Sequence, residues 1–542
     1  MNIKDIHGIA ENLFSKRSLL MNLWQEIAEN FYPERADFTL QREVGDEFAD
    51  NLYTSFPIIA RRDLGNAFST MLRPTSKEWF HMGIMRSDLL DNESRQWLEF
   101  ATNVMRRAMY DRVSNFTRAT KEGDHDFAAF GQAVISVQLN QNRDALLYRA
   151  WHLRDVVWSE NTEGKVGCVY RKWKPSAREL MRLFPGKVHE KVKLAAEKDP
   201  FFELDCRHFV IESDMYDGNW KTPYVSIYYD VQNNHVVEAV GVYNTIYVVP
   251  RWQTVAGSQY AYSPATIAAL PDARLVQAMT RTLLEAGEKL TNPPMVAVQE
   301  AIRSDISIYA GGITWVDRDY DERLGEVLRP LTQDAKGMPI GIDMQRDCRQ
   351  IIAEALFLSK LNLPQRASGM SEYEVGERVQ EYIRNAMPLF EPVEMDYNGG
   401  ICELTFDVMM RAGAFGSPQN MPRTLMGMDI NFTFESPLHD AIEHQKGRKW
   451  MEAKQIIADA VALDPSTALL VDAKTALRDI LTGMRVPAKW QRSESTVKEM
   501  ELLQAQARQA QELLATMQQG ADVGKTMSEA GLNINQAQQV AA

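Results

Sequence analysis

Several residue groups in this chain have types that could do chemistry, and their spacing decides against each. Gly520, Gly524, Lys525 and Thr526 are the residue types of a phosphate-binding loop. That loop needs four residues between its glycines to wrap backbone amides round a phosphate. Here there are three, inside a tail rich in Gln and Ala with no strand pattern before it. Asp317, Asp319 and Asp321 alternate as calcium ligands do, but Glu322 stands where that loop turns on glycine, and Leu328 where a bidentate Glu belongs. A solvated acidic turn is expected instead. The nine histidines are scattered, no H-E-x-x-H or G-x-S-x-G occurs, and His81, His125 and His208 are expected to pack or to sit at the surface. Cys168, Cys206, Cys348 and Cys402 lie far apart without a C-x-x-C pair, so they read as buried free thiols of a reducing compartment. No catalytic residue, metal or cofactor is expected.

A chain of 542 residues with 45% apolar and 25% charged content is enough for a large core and several domains. With 60 Lys and Arg against 73 Asp and Glu, the formal charge is −13. A protein that wraps DNA by neutralising phosphates carries the opposite balance, so any DNA contact should be loose or local. The first residues interleave charge with apolar side chains, unlike a signal peptide, and no stretch is apolar for long enough to cross a bilayer. Synthesis and assembly in the cytoplasm follow as the expectation.

Ile6, Ala10, Leu13, Leu20, Trp24, Ile27 and Phe31 recur at helical steps, which predicts one helix over residues 3–31 ending before Pro33. Helices are also predicted around 55–72 and 93–111. From Gln132 to Trp252 the texture becomes β-branched and aromatic, with one helix near 176–184. A long helix is predicted from Pro271 and Asp272 to Thr291, stopped by Pro293 and Pro294. A second of similar length should run from Asp343 as N-cap to about Leu361. Short strand-like runs between them predict a stalk carrying a tip. Beyond Ser371 and Glu374, in capping-box spacing, a kinked helix is predicted to about 412, broken by Pro388, Pro392, Gly399 and Gly400, which are candidate hinges. A strand at 428–434, helices near 437–463 and 472–482, and a frayed tail complete the reading.

Three segments carry a resemblance. YAYSPATIAALPDARLVQAMTRTLLEAGEKLTNPPM at 260–295, MSEYEVGERVQEYIRNAMPLFEPVE at 370–394 and ALRDILTGMRVPAKWQRSESTV at 476–497 are similar, in that order, to portal proteins of podovirus type, the head-to-tail connectors of short-tailed bacteriophages. The chain departs from the family pattern at Tyr262, where glycine is expected, and at Gly287 inside the first long helix, which would suit close subunit packing.

The resemblance implies an α+β, mainly helical portal-type fold with wing, stem, clip and crown, assembled as a ring with a central channel. Its parts would be a wing at 1–262, stem helices at 263–294 and 341–361, a clip at 295–340 and a tunnel loop at 362–370. A kinked wing helix and return strand would follow at 371–435, then a crown at 436–500 and a tail at 501–542. It implies a dodecamer at the portal vertex of the virion, assembled in the host cytoplasm, with no enzymatic activity. The partners implied are double-stranded DNA without sequence readout, the terminase large subunit, major capsid and scaffolding proteins, and tail adaptor and tail proteins. By the same resemblance Lys360, Gln365, Arg366 and Ser368 would touch DNA, unless Arg366 pairs with Glu372 or Glu374. Asp317, Asp319, Asp321 and Glu322 would meet the clip's partners, with Ile313 and Trp315 packed between subunits. Arg61, Arg62, Arg106 and Arg107 would either bridge subunits or remain solvated. A tail adaptor or other ring-forming connector is the alternative.

Overall fold

A computed structural model of the chain describes residues 1–43, 45–46, 52–75, 77–85, 90–297, 328–330, 337–358, 391–417 and 420–434, with short pieces from 453 to 511. These residues form two compact units, one drawn from Met1–Phe80, Met105–Ala414 and Phe434–Ala441, the other from His81–Val104, Phe415–Thr433 and Ile442–Ala542.

In the larger unit α1 (Ile3–Lys16) starts on a reciprocal cap, with the Asn2 side chain accepting from Lys4 N–H and Asp5 accepting from Asn2 N–H. The single helix expected to Phe31 breaks at Arg17, where α2 (Ser18–Phe31) begins. The Arg17 guanidinium turns inward and donates to the carbonyls of Leu153 and Val156, each at 2.7 Å, and to that of Arg154. Burying a guanidinium is tolerable only with such partners. They lie more than a hundred residues away, which is why local periodicity missed the break.

Helix α3 (Phe56–Ala67) runs into a π-helical turn, Phe68–Leu72. After β1 (Phe80–Ile84) and α4 (Asn92–Met109) comes α5 (Phe116–Phe130), packed on α3. Arg61 is not available to a neighbouring subunit: it is buried, donates to the Phe31 carbonyl at 3.1 Å, and lies 3.9 Å over the Tyr32 ring. Its Nη1 meets His125 Nδ1 at 3.0 Å. Arg106 pairs within the chain with Glu78 at 3.8 Å, while Arg62 and Arg107 are exposed.

The strand-rich block is present: β2 (Ile135–Leu139), β3 (Leu146–Ala150), β4 (Val156–Glu160) and β5 (Val166–Trp173). Two helices then interrupt it where one was expected, α6 (Ala177–Leu183) and α7 (Glu190–Lys198). The missed α7 is short, capped by His189 Nδ1 accepting from Lys191 N–H at 3.2 Å, with Val192 and Ala196 buried one turn apart. After β6 (Cys206–Glu212), β7 (Tyr224–Asp230) and β8 (His235–Val242), the order β4-β5-β6-β7-β8 makes one antiparallel sheet. Strand β9 (Tyr247–Val248) joins β2 and β3, and β10 (Gln253–Thr254) pairs with β11 (Ala261–Tyr262). The alternation of β7 sends Ile227 and Tyr229 toward α1, and Tyr228 toward α6 and α7.

His208 resembles half of a nucleophilic pair, with Nε2 2.8 Å from Ser226 Oγ and Nδ1 2.5 Å from the Tyr247 hydroxyl. All three residues are buried, and burial together with nearby Arg171 holds the imidazole neutral, well below its ordinary range. It is a packing residue. Cysteine behaves likewise: the four thiols are free and buried, and burial pushes Cys206 up to about 12, far from the thiolate that reactivity requires.

In the smaller unit β1 pairs with β14 (Ile430–Phe434). Asp91 caps the start of α4 by accepting from Ser94 N–H at 2.9 Å, and Thr102 Oγ1 accepts from Met82 N–H at 3.1 Å.

Burial and Arg61 depress His125 from 6.5 to about 4. The unfolded chain therefore takes up a proton that the folded chain refuses. Stability is full above about pH 6.5 and falls as pH drops toward 4. Discounted for the partial exposure of the ring, the loss is on the order of 1 kcal/mol. Urea unfolding of wild type and His125→Gln at neutral and mildly acidic pH should show a smaller acid loss in the variant.

Candidate functional site: a projecting helix pair

The feature that sets this scaffold apart is the pair α8 (Pro264–Thr291) and α9 (Gly337–Ala355), of 28 and 19 residues, rather than two matched helices. Helix α8 begins at Pro264, not at Pro271. Ser263 accepts from Thr266 N–H at 3.3 Å and Pro264 fills a first-turn position where its missing N–H is harmless. Pro271 lies inside the helix, a position that costs about 3 kcal/mol of intrinsic preference. Burial of Ala265, Ala269, Leu270, Ala273 and Val276 against the core offsets it. Helix α9 starts at Gly337, so Asp343 is an interior, exposed residue 3.8 Å from Arg346 and not the N-cap. It ends at Ala355, short of the expected Leu361, and Phe357 then turns the chain with a φ of +58°.

The root of α8 is tied down. Ser263 Oγ donates to the Ala128 carbonyl at 2.8 Å and Thr266 Oγ1 to that of Ala129 at 2.6 Å, both on α5. Gln277 Oε1 accepts from the N–H groups of Tyr53 and Thr54 at 2.8 and 3.0 Å. Beyond Gln277 no residue of α8 is buried, so ~20 Å of helix has α9 as its companion. There Gln345 Nε2 donates to Thr280 Oγ1 at 2.6 Å, and Gly341 lets Leu283 approach so closely that an added Cβ would stand 2.9 Å from its Cδ2. Much of the pair's apolar surface stays uncovered: Leu284 is 55% and Ile340 64% exposed, with Ile342, Met344 and Ile351 alongside. At the far end β12 (Met295–Ala297) pairs antiparallel with β13 (Leu328–Pro330), closing the base of the insert.

Behind the root lies a buried ion pair. Arg73, just past the π-turn of α3, bonds the Asp124 carboxylate of α5 and donates through Nη1 to Asn398 Oδ1 at 2.6 Å. Asn398 belongs to a second π-helical stretch, Val393–Gly399, which leads into α10 (Gly400–Arg411). The expected kink near Gly399–Gly400 thus takes the form of a π-turn in a helix that continues. Burial opposes the Arg73 charge, but Asp124 more than offsets it and holds the guanidinium above its ordinary value. Tyr397 packs beneath Arg73, its ring centre 4.7 Å away, and Gly123 has to be glycine because a Cβ there would lie 2.4 Å from the Tyr397 hydroxyl.

A recess of about 380 Å³ opens beside α10, lined by Lys165, Arg251, Asp396, Glu403 and Asp407 among others. Burial raises the Asp396 and Glu403 carboxyls, against the pull of Arg251 and Lys165 respectively. Asp407 is held by Asn244 Nδ2 at 2.5 Å and by Arg411 at 2.9 Å. The charges answer one another, and no metal-binding cluster of His, Cys, Asp or Glu occurs among the described residues.

Lys360, Gln365, Arg366 and Ser368 lie outside the described residues, as do Asp317, Asp319, Asp321 and Glu322 with Ile313 and Trp315. What sequence reasoning missed is Arg73, Asp124 and Asn398. Arg73 and Asp124 are charged and Asn398 is a neutral amide, and no local pattern links three residues so far apart in the chain.

The outer length of the helix pair thus keeps an uncovered apolar surface, Leu284 and Ile340 foremost. Residues 4–490 match the family of bacteriophage head to tail connecting proteins, and the chain belongs to that family. It is 24% identical over 451 residues to the "Probable portal protein" of Bordetella phage BPP-1, covering 79% of this chain and 78% of that one. It is 21% identical over 540 residues to the "Portal protein" of Salmonella phage epsilon15, covering 95% and 94%. Two solved gene transfer agent particles, a native virion and the neck of an empty particle, align over 79% and 75% of the chain and 94% and 88% of theirs. Their identities are 8% and 9% and their TM-scores 0.30 and 0.32, so the family match and the two relatives carry the assignment. The family is that of connectors between phage head and tail, and both relatives are named as portal proteins.

Two outcomes follow. Arg73→Met alone should strand the Asp124 carboxylate and destabilise the fold by about 3–5 kcal/mol in urea unfolding, with Arg73→Met/Asp124→Leu recovering part of it. Gly287 meets nothing within 4 Å in its own chain, so Gly287→Ala should leave folding intact and stabilise α8 by up to about 1 kcal/mol, read as a raised thermal midpoint.

Proposed function

We propose that copies of this chain form a ring, the expected dodecamer, whose central channel passes double-stranded DNA into and out of the capsid at one vertex. The observation that carries this is the exposed apolar length of α8 and α9. A soluble monomer seldom leaves such a surface open, and neighbouring pairs side by side would cover it. In this reading residues 1–262 are the wing, α8 and α9 the stem, 362–370 the tunnel loop and 436–500 the crown, and the clip, expected at 295–340, ends where α9 begins at Gly337.

The formal charge of −13 suits passage over binding. A ring of such chains repels phosphates along its wall, and the DNA contacts reduce to the loop residues Lys360, Gln365, Arg366 and Ser368, which give sequence-independent contacts. The acidic Asp317, Asp319, Asp321 and Glu322 of the clip suit a basic surface on the terminase large subunit during packaging and on tail proteins afterwards. Major capsid and scaffolding proteins would meet the ring at its wing. No step in this role requires a cofactor or bond-breaking chemistry by this chain, and assembly takes place in the host cytoplasm.

Negative-stain images of the purified protein should show rings with a central hole, and solid or monomeric particles would remove the ring. In phage assembled with Arg366→Ala/Lys360→Ala, packaged or retained genomes should fall severalfold. Unchanged packaging and retention would remove the loop from DNA contact while leaving the ring in place.

A further inference from the structure

Between β5 and β6 the chain leaves the sheet to build the α6–α7 hairpin. Ala177, Leu180, Phe184, Val192 and Ala196 bind it to the sheet. From Lys174 to Lys198 it carries seven Lys and Arg against three Glu, in a chain of formal charge −13, which leaves −17 for the remainder. Lys187 pairs with Glu238 at 2.6 Å. The other six cations, Lys174, Arg178, Arg182, Lys191, Lys193 and Lys198, are exposed and make no ion pair among the described residues. On α7, Lys191, Leu194 and Lys198 stand three and four residues apart, opposite the buried Val192 and Ala196.

The hairpin ends in an aromatic that the fold holds outward. Ala177 N–H donates to the Phe202 carbonyl at 2.9 Å and Arg178 N–H to that of Pro200 at 3.0 Å. This fixes Phe201 against the first turn of α6, yet it is 70% exposed, with Leu194 and Phe202 also uncovered. A pre-ordered aromatic on the same hairpin as unpaired cations, Arg178 bonded to the residue before it, has the make-up of an interface anchor and its polar rim, and little ordering is lost when it docks.

We propose that this hairpin face is one half of a contact between neighbouring copies of the chain, its cations set against the acidic remainder of the next copy and Phe201 its apolar anchor. The proposal rests on the ring reading above. Copies that each carry −13 repel, so association needs unlike patches brought together. A ring is built from head-to-tail contacts, in which a patch meets a different surface of its neighbour and need not complement itself. Duplex DNA would engage the cations, but an exposed phenylalanine contributes there only by unstacking base steps, at an energetic cost.

Sedimentation velocity of the full-length protein, at low and high salt, tests this with Phe201→Asp and with Arg178→Glu/Lys198→Glu. Thermal melts by circular dichroism check folding, and the milder Phe201→Ser and Lys191→Ala replace any variant that melts early. The expected result is that the variants need at least about tenfold more protein to assemble, close to 1.4 kcal/mol, and that the charge-reversal variant loses the salt dependence of wild type. Variants that assemble as wild type does overturn the proposal and leave the ring standing. A wild-type protein that never assembles overturns the ring reading itself. If assembly is unchanged while binding to a mixed-sequence DNA duplex is lost, the face belongs to DNA and the proposal also fails.

Discussion

The architecture of the larger unit hangs on one buried charge. Arg73 joins the end of the α3 segment, the middle of α5 and the π-turn before α10, three pieces with no sequence proximity. A charged group in that setting is held by its partners or not at all, because removing either leaves an uncompensated ion in the core. Helix α5, fixed from one side by Asp124, accepts from Ser263 and Thr266 through its last carbonyls and so sets where α8 leaves the body. The direction of the projecting pair therefore depends on a guanidinium and a carboxylate that never meet solvent.

From that root outward the balance of forces changes. The first half of α8 is stabilised by burial and by side-chain bonds to its neighbours, enough to carry Pro271 within a continuous helix. The second half has α9 beside it, one close contact at Gly341 and one hydrogen bond at Gln345. Leu284 and Leu290 of α8 and Ile340, Ile342 and Ile351 of α9 remain in water, a state that favours association. A connector needs both properties, a rigid root and a surface that others complete.

Charge separates conduit from clamp. Proteins that hold DNA by its phosphates concentrate cations, whereas here acids outnumber bases. The Ser226–His208–Tyr247 arrangement is closed to solvent and electrically neutral, and the carboxylates of the α10 recess face their own counterions. The unpaired cations of the α6–α7 hairpin stand out against this background.

Short-range rules made a good part of this protein readable from sequence. The helical steps of Ile6 and Ala10 and the β-branched run that holds β2 to β9 follow from periodicity and residue type, while the order of segments shared with connector proteins rests on resemblance. Tertiary structure alone decided the rest. Arg17 broke a helix that its neighbours favour, and Pro271 failed to start one, because each is governed by contacts distant in the chain. Arg61 left the surface for a carbonyl and an aromatic ring. The hairpin of α6 and α7 shows its unpaired cations and Phe201 only once the sheet has claimed the apolar side of each helix. Sequence reports local preference, while burial and the pairing of buried charge depend on which distant residues the fold brings into contact.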